Sequence, residues 1–91
     1  MPWAVELADG AVKALDKLDA KARQRIQRFI EQILHGADNP RQWGKALTGN
    51  YAGLWRYRIG DYRLVCQLQD TRLVVLVVLV ARRDKVYRGN L

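Results

Sequence analysis

Residues 54–69 read LWRYRIGDYRLVCQLQ, and no other stretch constrains the fold as much. Two alternating runs meet at Gly60-Asp61, a two-residue loop suited to the primed turns that match strand twist. With residues 60–61 as the loop, 59 faces 62, 57 faces 64 and 55 faces 66. One face of the hairpin then carries Trp55, Tyr57, Ile59, Tyr62, Leu64 and Cys66, a core-facing set. The other face pairs 58 with 63, 56 with 65 and 54 with 67. Arg58 is thereby set directly across from Arg63, with Arg56 diagonal to them. Like charges directly opposite each other destabilise a strand pair. The acids nearest in sequence, Asp61 in the turn and Asp70 at the far end, lie off this face by register. A face built this way fits an anion better than it fits bare solvent.

The rest of the chain supplies layers for that hairpin. Residues 3–7, WAVEL, alternate as a first strand. Asp9 is placed to cap a helix in which Val12, Leu15 and Leu18 form one stripe. Asp19 is placed to cap a second helix. There Ala22, Ile26, Phe29, Ile30, Ile33 and Leu34 recur at helical spacing, with Gly36 as C-cap and Pro40 beyond. Residues 41–53 read as a glycine-punctuated loop, and 72–81 as a third hairpin strand after a tight turn at Asp70-Thr71. That turn sets Arg63 across from Val78, with Leu76 and Val80 on the arginine face and Leu73, Val75, Val77 and Leu79 on the core side. A strand apolar on both faces is covered on both, so the arginine face has an apolar floor that the tail or an acid-rich amphipathic partner would cover. The expected fold is a single α+β domain over residues 1–91. It has one N-terminal strand, a helical hairpin, a three-stranded antiparallel meander, and a tail with at most a short helix.

Charge narrows the partner. The chain has 16 Lys and Arg against 9 Asp and Glu, and residues 51–91 hold a net +5 of the total +7. A field concentrated in this way favours a polyanion or an acidic protein. The longest apolar run, nine residues at 73–81, is far short of the ~20 a membrane helix needs. The N-terminus lacks a basic segment followed by an apolar run, so no leader peptide is expected. One cysteine, Cys66, fits a reducing, cytoplasmic compartment; facing the core, it is expected to be inert. His35 sits at a helix end among loop residues. Metal-ligand spacing, a glycine-rich phosphate loop and a Ser/His/Asp set are all missing from the sequence, so neither metal nor cofactor is expected. Arg82, Arg83, Lys85, Tyr87 and Arg88 follow the last strand, whose antiparallel course returns them toward Arg58 and Arg63.

The stretch KALTGNYAGLWRYRIGDYRLVCQL, the apolar strand after it and ARRDKVYR together resemble the RelE branch of the RelE/ParE superfamily of bacterial toxins. The resemblance runs through nearly the whole chain in element order. It rests on K-x-L-x-G, R-x-R-x-G-x-Y-R and R-x-x-x-Y, and the Arg83…Tyr87 piece is more typical of the ribonuclease branch. The resemblance implies a type II toxin that cuts mRNA in the ribosomal A site and is silenced by a RelB-like antitoxin with an amphipathic or acidic helix. The implied chemistry needs no metal: a 2′-hydroxyl attacks the neighbouring phosphate. Carried over by position, Arg58, Arg63, Arg83 and Tyr87 are the implied catalytic residues. Arg56, Lys45, Arg82, Lys85 and Arg88 are the implied phosphate contacts. Arginines are competent clamps for a phosphoryl transition state. Tyr87 is the candidate base if surrounding cations lower its pKa from about 10. The best-known member of the family carries lysines where this chain has Arg56 and Arg58, and an arginine with pKa above ~12 hardly trades protons. Electrostatic roles are therefore expected at 56 and 58, and the general acid is left open. The alternatives are a toxin of the gyrase-poisoning ParE branch, which does not need Tyr87, and a nucleic-acid-binding module without toxicity.

Overall fold

The computed structural model describes residues 2–83. Its elements run β1 (Ala4–Leu7), α1 (Asp9–Asp16), α2 (Ala20–Phe29), a π-helical turn (Ile30–Leu34), a 3-10 turn (Pro40–Trp43), β2 (Gly44–Ala46), a second 3-10 turn (Gly49–Tyr51), β3 (Leu54–Ile59), β4 (Tyr62–Gln69) and β5 (Val74–Arg82). The α+β class and the order strand, helices, meander are as the sequence predicts. The sheet has five strands in the order β1-β5-β4-β3-β2. The N-terminal strand joins it in parallel beside β5. The segment expected to be loop contributes β2, antiparallel to β3. None of the described helices is long and apolar enough to cross a membrane.

The β3–β4 register is the predicted one. Ile59 faces Tyr62, Tyr57 faces Leu64, Trp55 faces Cys66, and Arg58 faces Arg63. Tyr57, Leu64 and Cys66 are fully buried, and they join Ile26, Leu34, Val75 and Val77 in one core between the helices and the sheet. Tyr57 donates its hydroxyl proton to the Pro40 carbonyl (2.7 Å), and burial pushes its pKa far above the usual phenol range. Burial likewise raises the Cys66 thiol, which keeps it neutral and unreactive.

The β4–β5 register departs from expectation. The connection is wider than Asp70-Thr71: Gln69 pairs with Val74, and Leu73 turns the corner at φ 53°. A bulge at Val65/Cys66 then sets two residues of β5 against one. Arg63 therefore faces Ala81, not Val78, and Leu64 faces Val80. Past the bulge, Val80 goes to the core and Leu79 to the arginine face, the reverse of a uniform alternation.

The helices show smaller shifts. Asp19 caps α2, its carboxylate accepting from the Ala22 N–H (2.8 Å). Ala8, not Asp9, is the N-cap of α1, and it makes no side-chain cap. Asp9 occupies the first turn instead, where a carboxylate meets the positive end of the helix dipole. The buried stripe of α1 is accordingly Ala11 and Leu15, and Val12 is 40% exposed. In α2 the expected stripe holds, with Ile26, Ile30 and Leu34 buried. Its last turn widens, the His35 N–H reaching back to the Ile30 carbonyl (2.8 Å). Gly36 then adopts φ +81°, which suits a helix-ending glycine. The Gly36 N–H bonds the Trp3 carbonyl, and the Trp3 N–H bonds that of Ala37, tying β1 to the helix end.

Candidate functional site

The candidate site gathers around the Gly60-Asp61 turn between β3 and β4. Gly60 has φ +56°, a conformation that only glycine adopts without strain. A guanidinium grips each side of this turn. Arg63, only 2% exposed, folds back so that Nη1 donates to the carbonyls of Gly60 (2.8 Å) and Tyr62 (2.9 Å). The Arg25 guanidinium, from α2, packs on the other side. Its nearest nitrogen is 2.6 Å from where a Cβ on Gly60 would stand. The start of the C-terminal segment also docks here, the Arg83 N–H donating to the Asp61 carbonyl (2.8 Å).

This arrangement resolves the facing arginines. Arg63 leaves the plane of the pair and spends its donors on the turn, while Arg58 is exposed. Buried Arg63 retains one Nε–H with no hydrogen-bond partner. Satisfied carbonyls offset part of the cost of burying that charge, so Arg63 is a fixed positive charge under the face and Arg58 an exposed one above it.

Lys45, offered by the sequence only as part of a motif, gains a position in three dimensions. As the middle residue of β2 it lies directly across from Arg56, on the same face of the sheet as Arg58 and Arg63. Beyond them this face continues with Val65, Leu79, Ala81 and Leu76, so the apolar floor exists, though the bulge alters its membership. Arg82 pairs with Tyr62 and so falls on the opposite, helix-bearing face. Lys85, Tyr87 and Arg88 lie outside the described residues.

Sequence reasoning missed Arg25 and Arg28. With Arg58 they rim a groove of about 400 Å³ between α2 and the turn. The available signal was composition: α2 carries Lys21, Arg23, Arg25 and Arg28 and no acid. Asp19 and Asp61 stand near Arg25 without an ion pair to it, and two further acids are paired with other arginines. Asp70 forms a two-pronged pair with Arg41 (3.0 and 2.9 Å), which also holds the Asp70 carboxyl below the usual carboxylate range. Glu6 takes Arg72 (2.9 Å). Among the described residues, no ion pair reaches Arg25, Arg28, Arg58 or Arg63.

Comparison with known proteins shows the family. The model of the ParE toxin family of type II toxin–antitoxin systems matches residues 5–87. The chain is 33% identical over 89 residues to Toxin RelE of Mycobacterium tuberculosis, spanning 98% of this chain and 90% of that protein. Toxin RelG of the same organism is 30% identical over 88 residues, spanning 97% and 99%. The backbone matches a chain in the crystal structure of the toxin–antitoxin complex RelBE2 from M. tuberculosis with a TM-score of 0.83, at 28% identity over 91% of this chain and 100% of that one. The chain thus belongs to the toxin family of type II toxin–antitoxin systems, as a RelE-like member.

Proposed function

We propose that this toxin is a ribosome-dependent endoribonuclease that cuts mRNA in the A site. The observation that carries the reading is the convergence of Arg58, Arg63 and the start of the Arg83 segment on one turn, with no ion pair to Arg58 or Arg63 among the described residues. In the reaction the 2′-hydroxyl attacks the adjacent phosphorus and the P–O5′ bond breaks. A 2′,3′-cyclic phosphate and a 5′-hydroxyl result. Negative charge accumulates on the phosphoryl oxygens, and preoriented cations stabilise it without reorganisation. Arg58, exposed, contacts the phosphate. Arg63, locked to two carbonyls, holds its charge in place beneath. Arg83 serves the leaving oxygen or the pentacovalent phosphate, and Tyr87 accepts the 2′-hydroxyl proton. Lys45, Arg56, Lys85 and Arg88 hold the RNA strand by its phosphates; Arg82, on the helix-bearing face, is left out of this set.

A cognate antitoxin is the proposed regulator. Support comes from the relative crystallised in a toxin–antitoxin complex and from the half-buried Leu76 and Leu79 beside the basic residues. An amphipathic helix with acids along one edge would suit both features.

The name of the matching family model favours one second reading, a ParE-like toxin that poisons DNA gyrase without cutting RNA. Expression of wild type and Tyr87→Phe, with primer extension on a translated message, separates the two. Cuts within codons that vanish in Tyr87→Phe are the expected result. Growth arrest with intact messages and DNA damage would favour the second reading.

A further inference from the structure

The groove beside the turn is chemically distinct from the sheet face. Arg25 and Arg28 stand one turn of α2 apart, and Arg58 closes the groove from β3. Its floor is apolar, formed by Phe29, Ile33 and Ile59. Phe29 is half-buried and tilted against Tyr57 at 6.0 Å, so its ring is fixed. Ile33 belongs to the π-helical turn, and such single wide turns are enriched at functional positions. Because β2 pairs only with residues 55–57, the backbone of Arg58–Gly60 forms an open edge into this space.

We propose that this groove binds RNA outside the scissile position. Arg25 and Arg28 take phosphodiester oxygens, and one unstacked base lies on the Phe29–Ile33–Ile59 floor. RNA complements the groove on two counts. Cations one helical turn apart, with no ion pair among the described residues, match consecutive phosphates. An apolar floor with an aromatic ring between them matches a base, which an acidic peptide would not need. Arg58 is shared by the groove and the cutting site, so the strand passes from one to the other without leaving the positive surface. The proposal rests on the nuclease reading above for the identity of its polyanion.

The test uses the full chain and a fluorescein-labelled 12-nucleotide single-stranded RNA, with anisotropy recorded across a salt series. Each lost phosphate contact lowers the slope of log K against log salt by ~0.7 for a single strand. Arg25→Gln/Arg28→Gln is expected to reduce the slope by about 1.4, and Arg28→Gln alone, which leaves the Gly60 contact intact, by about 0.7. Arg41→Gln should leave it unchanged. Sedimentation with message-free ribosomes identifies the source: normal ribosome binding by the double variant assigns the groove to the message, reduced binding to ribosomal RNA. Unchanged slopes in both variants overturn the proposal, as does an unchanged slope with lost binding of an antitoxin peptide. Failure of the parent reading is separable, since wild type would then cut no message whatever the slopes show.

Discussion

Two sets of exposed arginines on this small surface behave differently. Arg41 and Arg72 each hold a carboxylate within 3.0 Å, and Arg41 also lies over the Trp55 ring at 5.4 Å. Arg25, Arg28 and Arg58 hold none among the described residues, although they line one groove beside the Gly60 turn. The first pair ties loop ends together: Arg41 joins the segment before β2 to the β4–β5 connection, and Arg72 joins that connection to β1. The second set joins nothing by charge. An unpaired cation cluster is a cost in the free protein that only a ligand offsets, so pairing separates charges that serve the fold from charges that serve binding.

Substitutions can break this comparison. Arg58→Ala is expected to lower message cleavage by roughly 100-fold or more, the loss typical of removing one transition-state donor. Its stability should stay within about 0.5 kcal/mol of wild type by thermal melting. Arg63 belongs to neither set, being buried and tied to carbonyls. Arg63→Met is expected to destabilise by about 2 kcal/mol in denaturant titration, because two turn carbonyls lose a charged donor. Cleavage should fall with it. Gly60→Ala tests the grip of Arg25 on the turn. Positive φ alone costs roughly 1 kcal/mol with a Cβ, and the Arg25 guanidinium must also move away. Destabilisation together with weaker RNA binding is expected, and unchanged RNA binding would detach Arg25 from the site.

The smallest effect is expected from the paired set. The Asp70 carboxyl titrates below its ordinary value because Arg41 bonds it. Its folded pKa is depressed, so the pair's contribution is present above about pH 4 and lost as pH falls through the folded value. Asp70→Asn should lower the melting temperature at neutral pH by no more than a few degrees and remove that acid-limb dependence. Cleavage should stay within twofold of wild type.

The two sets also differ in how far the sequence reveals them. Arg58 and Arg63 were legible because a two-residue loop fixes which residues face each other, and the observed pairs are the predicted ones. Arg63's burial was not, since register gives the face but not the rotamer that turns a guanidinium back onto its own hairpin. Lys45 was visible only as part of a motif. Its strand has three residues, too few to show alternation, and its partner Arg56 lies eleven positions away on β3. Arg25 and Arg28 read as ordinary helix surface because helical spacing says which face is wet, not which turn stands opposite. The β4–β5 register failed for a different reason. A run of Val and Leu carries no polar mark by which a bulge could be seen, so the insertion at Val65/Cys66 left no trace in the pattern.

The most direct measurement is of the RNA ends left by the wild-type protein on a message under translation. The account predicts cuts bearing a 5′-hydroxyl on one fragment and a 2′,3′-cyclic phosphate on the other. Intact messages, or fragments ending in a 5′-phosphate and a free 3′-hydroxyl, would contradict it.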